Sequence, residues 1–487
     1  MLTRIAYGDS RLSFWPRVRE FAVPPSMIEK ATARRHVGDW AGACAAAGID
    51  VDLDLRRLAR THGRELTALV RTDLRRLAPD LLRWHMPRIA PDGLLRPGLT
   101  LTLARYPVPG HDRSRPLHLV VRTPPAWADA GQRMSLLLWG DDVSAATGTL
   151  HHPHPRPNRR FRLDLHRHLW DARRTGELRT RSGAGRNGGP ERSGASSEGI
   201  GLPEGIGLAE GVGLADDRWS AEAELLLRAD ELPVGPVTVR LGSRRRLLLE
   251  PSGAGEFPEG LPAFRIASPP PGGGLSALPV LPDAATWVPP DLELLRVGAI
   301  TADRLHPLVG PALLPDRPPA AFTPAPAPEP WRDPHLVDCR GARHRIGLVD
   351  GVLTPLDHDP AEVRREELLA ALSGTPLPCL RAVHEAHRRP DCLDGVRERL
   401  RHGDVCGALD VVEGLLGPRA VLRDGPLRDE LEAAAERRVA YGLFRAGLTG
   451  PGPGPNGARP DRTGSGGIPP ARRRTRDVRA HPRHATR

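Results

Sequence analysis

The segment His36-Val37-Gly38-Asp39-Trp40-Ala41-Gly42-Ala43 returns near the far end of the chain as Arg401-His402-Gly403-Asp404-Val405-Cys406-Gly407-Ala408. Each copy follows a helix-compatible stretch, 28–36 and 392–402. A glycine just past a helix end closes the last turn in the left-handed conformation without a Cβ clash. The aspartate after it accepts from the free N–H groups of the next helix and suits the positive end of that helix dipole. Small residues follow, so two antiparallel helices can approach closely. Gly38, Asp39, Gly403 and Asp404 are therefore the expected turn residues of two helical hairpins.

The pattern Gly-Asp-x-x-(Gly/Ala)-Ala resembles the inter-helix turn of tetratricopeptide-type hairpins. The resemblance covers only the turn, and no period of about 34 residues surrounds either copy. It implies a helical hairpin and no solenoid.

Around the first turn the periodicity stays helical to about Arg88. Leu66, Leu69, Val70, Leu74, Leu77 and Leu81 recur at three- and four-residue steps and define one apolar stripe. Arg64, Arg71, Arg75 and Arg76 fall mostly outside it, and Pro79 interrupts the run. From Leu99 the signal changes to short Leu/Val/Thr-rich runs bounded by Pro, Gly and Asp. Strands are expected at 99–105, 117–122, 133–139, 161–165, 219–228, 236–241 and 244–250, the last three completing the earlier sheet. A short helix is expected at 166–174.

Residues 175–217 contain a Gly/Ser/Arg stretch and three copies of a hexapeptide repeat, so order is not expected there. Proline-rich 267–334 reads as a semi-extended linker with one short helix at 301–309. A hairpin is expected over 335–356. Asp359 and Pro360 then open a helix as cap and first residue, and helices continue to Leu448.

These readings give an α+β chain with helical hairpins at both ends around a β-rich middle, plus disordered linkers and tail. The expected divisions are a helical part (1–98), a β-rich part with a disordered insert (99–266), the linker (267–334), a hairpin-plus-helix part (335–448) and a basic tail (449–487).

Composition limits the function classes. Apolar residues make up 39%, and 52 Gly and 53 Pro leave much of the chain for loops. The net charge is +11, but nine arginines against two aspartates in 459–487 supply +7 of it. Any polyanion affinity read from charge alone belongs to Arg472, Arg473, Arg474, Arg476 and Arg479. Five scattered cysteines without a CxxC pair argue for a reducing compartment, and no run is apolar enough for a membrane span. A cytoplasmic location is expected.

Candidate chemistry is sparse. His151, His152, His154, His166 and His168 are the densest imidazole group, but arginines and prolines crowd them and a solvated basic loop is the default reading. Leu55 to Arg76 alternatively reads as a DNA-reading helix–turn–helix, with Leu58, Ala59, Gly63 and Leu69 where that motif wants apolar, Ala, Gly and apolar residues. Asp338, Cys339, His344, Asp350, Asp357, His358 and Asp359 could supply a nucleophilic set, against a plain hairpin with a partly buried cysteine. No GxSxG, phosphate loop, dinucleotide fingerprint or HExxH motif stands in usable context. No catalytic residue, metal or cofactor is therefore expected. The leading expectation is a non-enzymatic protein whose hairpins contact unidentified protein partners. The alternative is a nucleic-acid-associated protein using the tail and the Arg64–Arg76 face.

Overall fold

The computed structural model describes residues 14–108, 116–129, 131–140, 152–184, 213–241, 245–252, 264–267, 277–316, 335–339, 341–349, 352–373, 378–381, 393–416 and 424–448, with a few isolated positions. It is an α+β protein. The tail arginines, most of the hexapeptide repeat, His151, Asp350 and Cys392 lie outside the described residues.

The first hairpin is α1 (Pro25–His36) and α2 (Trp40–Ala46). Gly38 takes φ +78°, and Asp39 Oδ1 accepts from Gly42 N–H at 2.8 Å. The downstream pair α9 (Leu393–His402) and α10 (Val405–Leu416) repeats this geometry. Gly403 has φ +87°, and Asp404 Oδ1 accepts from Gly407 N–H at 3.0 Å. An arginine five residues earlier reaches the other carboxylate oxygen in both copies: Arg34 on Asp39 at 3.1 Å and Arg399 on Asp404 at 2.7 Å. The glycine at the fifth position of the motif is also explained. A Cβ on Gly42 or Gly407 would stand 2.1 or 2.2 Å from the capping carboxylate.

Between the hairpins, β1 (Ile49–Asp52) pairs in parallel with β4 (Met134–Trp139), which continues as an antiparallel meander through β3 (Leu117–Arg122) to β2 (Thr100–Tyr106). Strand β1 was not legible in the sequence: four residues with two aspartates carry no strand signature. Helix α3 (Leu55–Arg76) is capped by Asp54 and broken at Gly63, where φ is +87°. Leu66, Val70, Leu74, Leu77 and Leu81 are buried, while Leu69 is 53% exposed. Pro79 opens α4 (Pro79–His85), where its missing N–H is harmless.

Four expectations are corrected. Residues 219–228 form helix α5 (Trp219–Ala229): Trp219, Ala223, Leu226 and Leu227 are buried at helical spacing. Strands β5 (Val237–Leu241), β6 (Arg245–Pro251) and β7 (Phe264–Ala267) form a second antiparallel sheet with its own core and do not extend the first. Residues 161–165 make only a bridge at Arg162, because turn bonds from Leu165 to Arg162 and from His166 to Leu163 curl the backbone away. Residues 167–169 are a single 3₁₀ turn.

The insert and linker also contain folded segments. Within the first, Leu178 and Ala215 are fully buried. Within the second, α6 (Asp283–Thr286) and α7 (Pro290–Arg296) form, and Leu294, Leu305 and Val309 enter the main core. That core also takes Ile28, Val70 and Trp84 from before residue 98, and Leu101, Leu136 and Trp170 from after it. Proline-rich composition thus concealed short helices whose apolar residues find partners far along the chain.

The C-terminal sheet is β8 (His335–Cys339), β9 (Ala342–Val349) and β10 (Val352–Pro355). Helix α8 (Pro360–Ser373) follows, with Asp359 Oδ1 accepting from Ala361 N–H at 3.1 Å. Helix α11 (Pro426–Arg445) closes the described fold. Its Tyr441 hydroxyl donates to Asp50 Oδ2 at 2.7 Å.

Candidate functional site

An open cleft of about 550 Å³ lies between the segment 153–160 and the second sheet. One wall is the segment 153–160, and the other carries Thr238, Arg240 and Arg246. Proline at 153, 155 and 157 removes N–H groups, so this wall cannot extend the sheet as a regular strand. It is pinned by its carbonyls instead. Thr100 Oγ1 donates to His154 O at 2.7 Å, and Arg122 Nη2 donates to Pro155 O at 2.6 Å. The chain rejoins β2 through Asn158 N–H to Thr100 O at 2.9 Å.

The facing wall follows from strand alternation. Val237, Val239 and Leu241 enter the second core, so Thr238 and Arg240 project to the opposite face. Arg240 sits directly across from Arg246 in the β5–β6 register. Two like charges in that relation repel. Burial first, then Arg160 and Arg246, lowers the Arg240 pKa from its usual value. The nearby carboxylate, Asp283, is already held by Arg160 through two bonds of 2.7 and 2.8 Å. Arg240 Nε and Thr238 Oγ1 are both buried without a hydrogen-bond partner among the described residues. Arg156, Arg159 and Arg246 are exposed and carry no ion pair among the described residues. The cleft therefore holds positive charge and idle donors in excess of its acceptors, and an anion supplies what it lacks.

No protein family, curated protein or solved structure matches this chain.

The histidine group divides between two environments. His152 Nε2–H donates to Thr123 O at 2.9 Å while Nδ1 accepts from His154 N–H, and burial pushes its pKa down to about 4. His154 lines the cleft. His166 instead meets Glu222 at 3.1 Å, and its ring lies 5.8 Å from that of His168. Burial of His168 holds it well below the ordinary histidine range.

In α3, Arg64, Arg71 and Arg75 are exposed without ion pairs among the described residues, and Arg76 is half-buried. In the segment compared with a helix–turn–helix, two helical stretches meet at Gly63, where φ is +87°, and Leu69 is 53% exposed.

Among the described residues, the nucleophilic set is not assembled as a triad. Asp338 is 88% exposed, Asp357 is bound in a fork by Arg345, and Asp359 caps α8. Cys339 and His358 do come together, along with Cys379.

In the sequence the arginines between 156 and 162 read only as part of a solvated basic loop, and Thr238, Arg240 and Arg246 carry no site signal beyond a threonine and an arginine two apart among core-facing valines. Its meaning depends on which loop the strand faces.

Proposed function

We infer that the protein is a non-enzymatic nucleic-acid-binding protein that holds the phosphate backbone in the arginine cleft. The observation that supports this most directly is the cross-strand pair Arg240–Arg246, which among the described residues has no carboxylate of its own, Asp283 being committed to Arg160. Like charges directly opposite one another destabilise a sheet, and a bound phosphate offsets that repulsion. Among the described residues, the cleft lining includes no Phe, Tyr or Trp. Contacts are therefore to phosphates, with little base stacking and little sequence preference.

The test is fluorescence anisotropy of labelled single-stranded and duplex nucleic acid against salt. Full-length protein is compared with a full-length Arg156→Gln/Arg159→Gln/Arg246→Gln variant. Each phosphate contact contributes about 0.7–0.9 to the log–log salt slope, so the triple variant should lose a slope of about 2 or more. An unchanged slope would reject the cleft and leave the tail as the site.

A second reading, contact with a protein partner, is favoured by one observation. Helix α8 exposes Leu368, Leu369 and Leu372 at 63%, 57% and 87%. Such contacts would survive high salt in a pull-down and be lost in Leu368→Ser/Leu372→Ser.

A further inference from the structure

Cys339 ends β8, His358 lies in the turn between β10 and α8, and Cys379 lies in helical backbone at 378–381. They come from three separate pieces of chain. One donor atom from each, two Sγ and one ring nitrogen, all lie within 4.8 Å of one another. Both cysteines are fully buried and unpaired by disulfide, and the His358 side chain is 5% exposed. The imidazole Nε2 of His358 is buried without a hydrogen-bond partner among the described residues.

We propose that Cys339, Cys379 and His358 bind a zinc ion that clips the C-terminal sheet to the helical segment behind it. Two thiolates and a neutral imidazole are the donor set zinc favours, and softness selects it over magnesium or calcium. Zinc sits about 2.3 Å from sulfur and about 2.0–2.1 Å from nitrogen, so a tetrahedral site has donor–donor edges of about 3.5–3.8 Å. Rotamer adjustments within the observed 4.8 Å cluster reach that size. On binding, each thiol gives its proton to solvent, two protons leave per ion, and no oxidant or reductant is needed.

The surroundings fit a ligand imidazole. Glu362 Oε2 stands 4.0 Å from His358 Nδ1, the place where a carboxylate orients a metal-bound ring. The His344 ring stacks on His358, with centroids 4.4 Å apart and planes at 15°, and limits its rotation. A nucleophilic cysteine would need access to substrate, and both thiols are closed off from solvent.

Among the described residues, the apolar cluster here centres on seven buried side chains, Ile346 and Leu400 among them, and a cross-link of this kind adds to its stability.

The experiment measures metal in the full-length protein after expression with zinc and removal of free ions. Cys339→Ser, Cys379→Ser and His358→Gln are run beside the controls Cys44→Ser and Cys406→Ser. One zinc per chain is expected in the wild type and both controls, with loss in all three ligand variants and a lower melting temperature after chelation. Where a ligand variant fails to fold, cobalt replacement in the wild type decides: thiolate-to-cobalt charge-transfer bands are expected. A wild type that takes up neither zinc nor cobalt would overturn the proposal. So would a Cys339–Cys379 disulfide in the unreduced peptide map, or zinc retained by a Cys339→Ser/Cys379→Ser double variant.

Discussion

The buried guanidinium of Arg83 donates from Nη2 to the carbonyl of His402 at 2.9 Å. The same group donates from Nε to Ala22 O at 2.8 Å, and from Nη1 to Gln132 O at 2.7 Å and Ala47 O at 3.4 Å. Ala47 caps the end of the first hairpin, and His402 ends the first helix of the second. One side chain therefore holds both copies of the repeated turn, 36 and 319 residues away along the chain. Its partners are carbonyls, and burial followed by the nearby Arg133 lowers its pKa to about 10.

Arg83→Lys should cost about 3–5 kcal/mol, because an ammonium cannot reach carbonyls on all these segments and leaves some buried and unpaired. Denaturant midpoints should show Arg83→Met similarly damaged, with exposed Arg60→Gln within about 0.5 kcal/mol of wild type. A Lys variant as stable as Arg60→Gln would refute the hub.

The two glycines of the paired turns should respond differently to alanine. Both have positive φ, so each substitution costs about 1–2 kcal/mol in backbone strain. At Gly38 a Cβ meets nothing within 4 Å, whereas at Gly403 it would stand 1.8 Å from the Gly131 carbonyl oxygen. Gly403→Ala should therefore cost several kcal/mol more than Gly38→Ala. Equal melting temperatures would show that the Gly131 loop moves aside freely.

Acid should weaken the fold through its buried histidines. Burial, ahead of the neighbouring charges, lowers His85 to about 4, and burial followed by Arg88 and Arg83 lowers His402 to about 3. Both folded values lie below the unfolded value of about 6.5. The fold favours the neutral form, so this contribution is complete above about pH 6.5 and is lost as pH falls towards 4 and 3. His85 alone accounts for about 3 kcal/mol by linkage. Denaturation at pH 7.5, 6 and 5 should show a steady fall that is shallower in His402→Gln. A flat wild-type profile over that range would exclude neutral burial.

The capping carboxylates offer a finer comparison. Asp39→Ala and Asp404→Ala each remove a cap worth about 1 kcal/mol. Asp404 is 9% exposed and also bonds Arg399, which stacks over Phe21 at 5.5 Å, so its loss should exceed that of Asp39. Asp404→Asn, which keeps the cap acceptor, should recover most of the difference in thermal melts. Recovery by Asn at neither position would place the stabilisation in the ion pair.

What the sequence by itself determined is local. Gly38 and Gly403 announce left-handed turns, Asp39, Asp404 and Asp359 announce caps, and the Leu/Val/Thr-rich runs 117–122 and 236–241 announce strands. Each depends on neighbours within a few residues, where backbone sterics and first-turn hydrogen bonds decide. Tertiary structure decided everything that needs two distant segments. It placed Arg240 opposite Arg246 and beside the 153–160 wall, and brought Cys379 to Cys339 and His358. It folded part of a proline-rich stretch by burying Leu294 and Val309 in the main core. It also made one of two near-identical turns intolerant of a methyl group. Packing and unpaired charge are properties of neighbours in space, and this chain brings those neighbours together from tens to hundreds of residues apart.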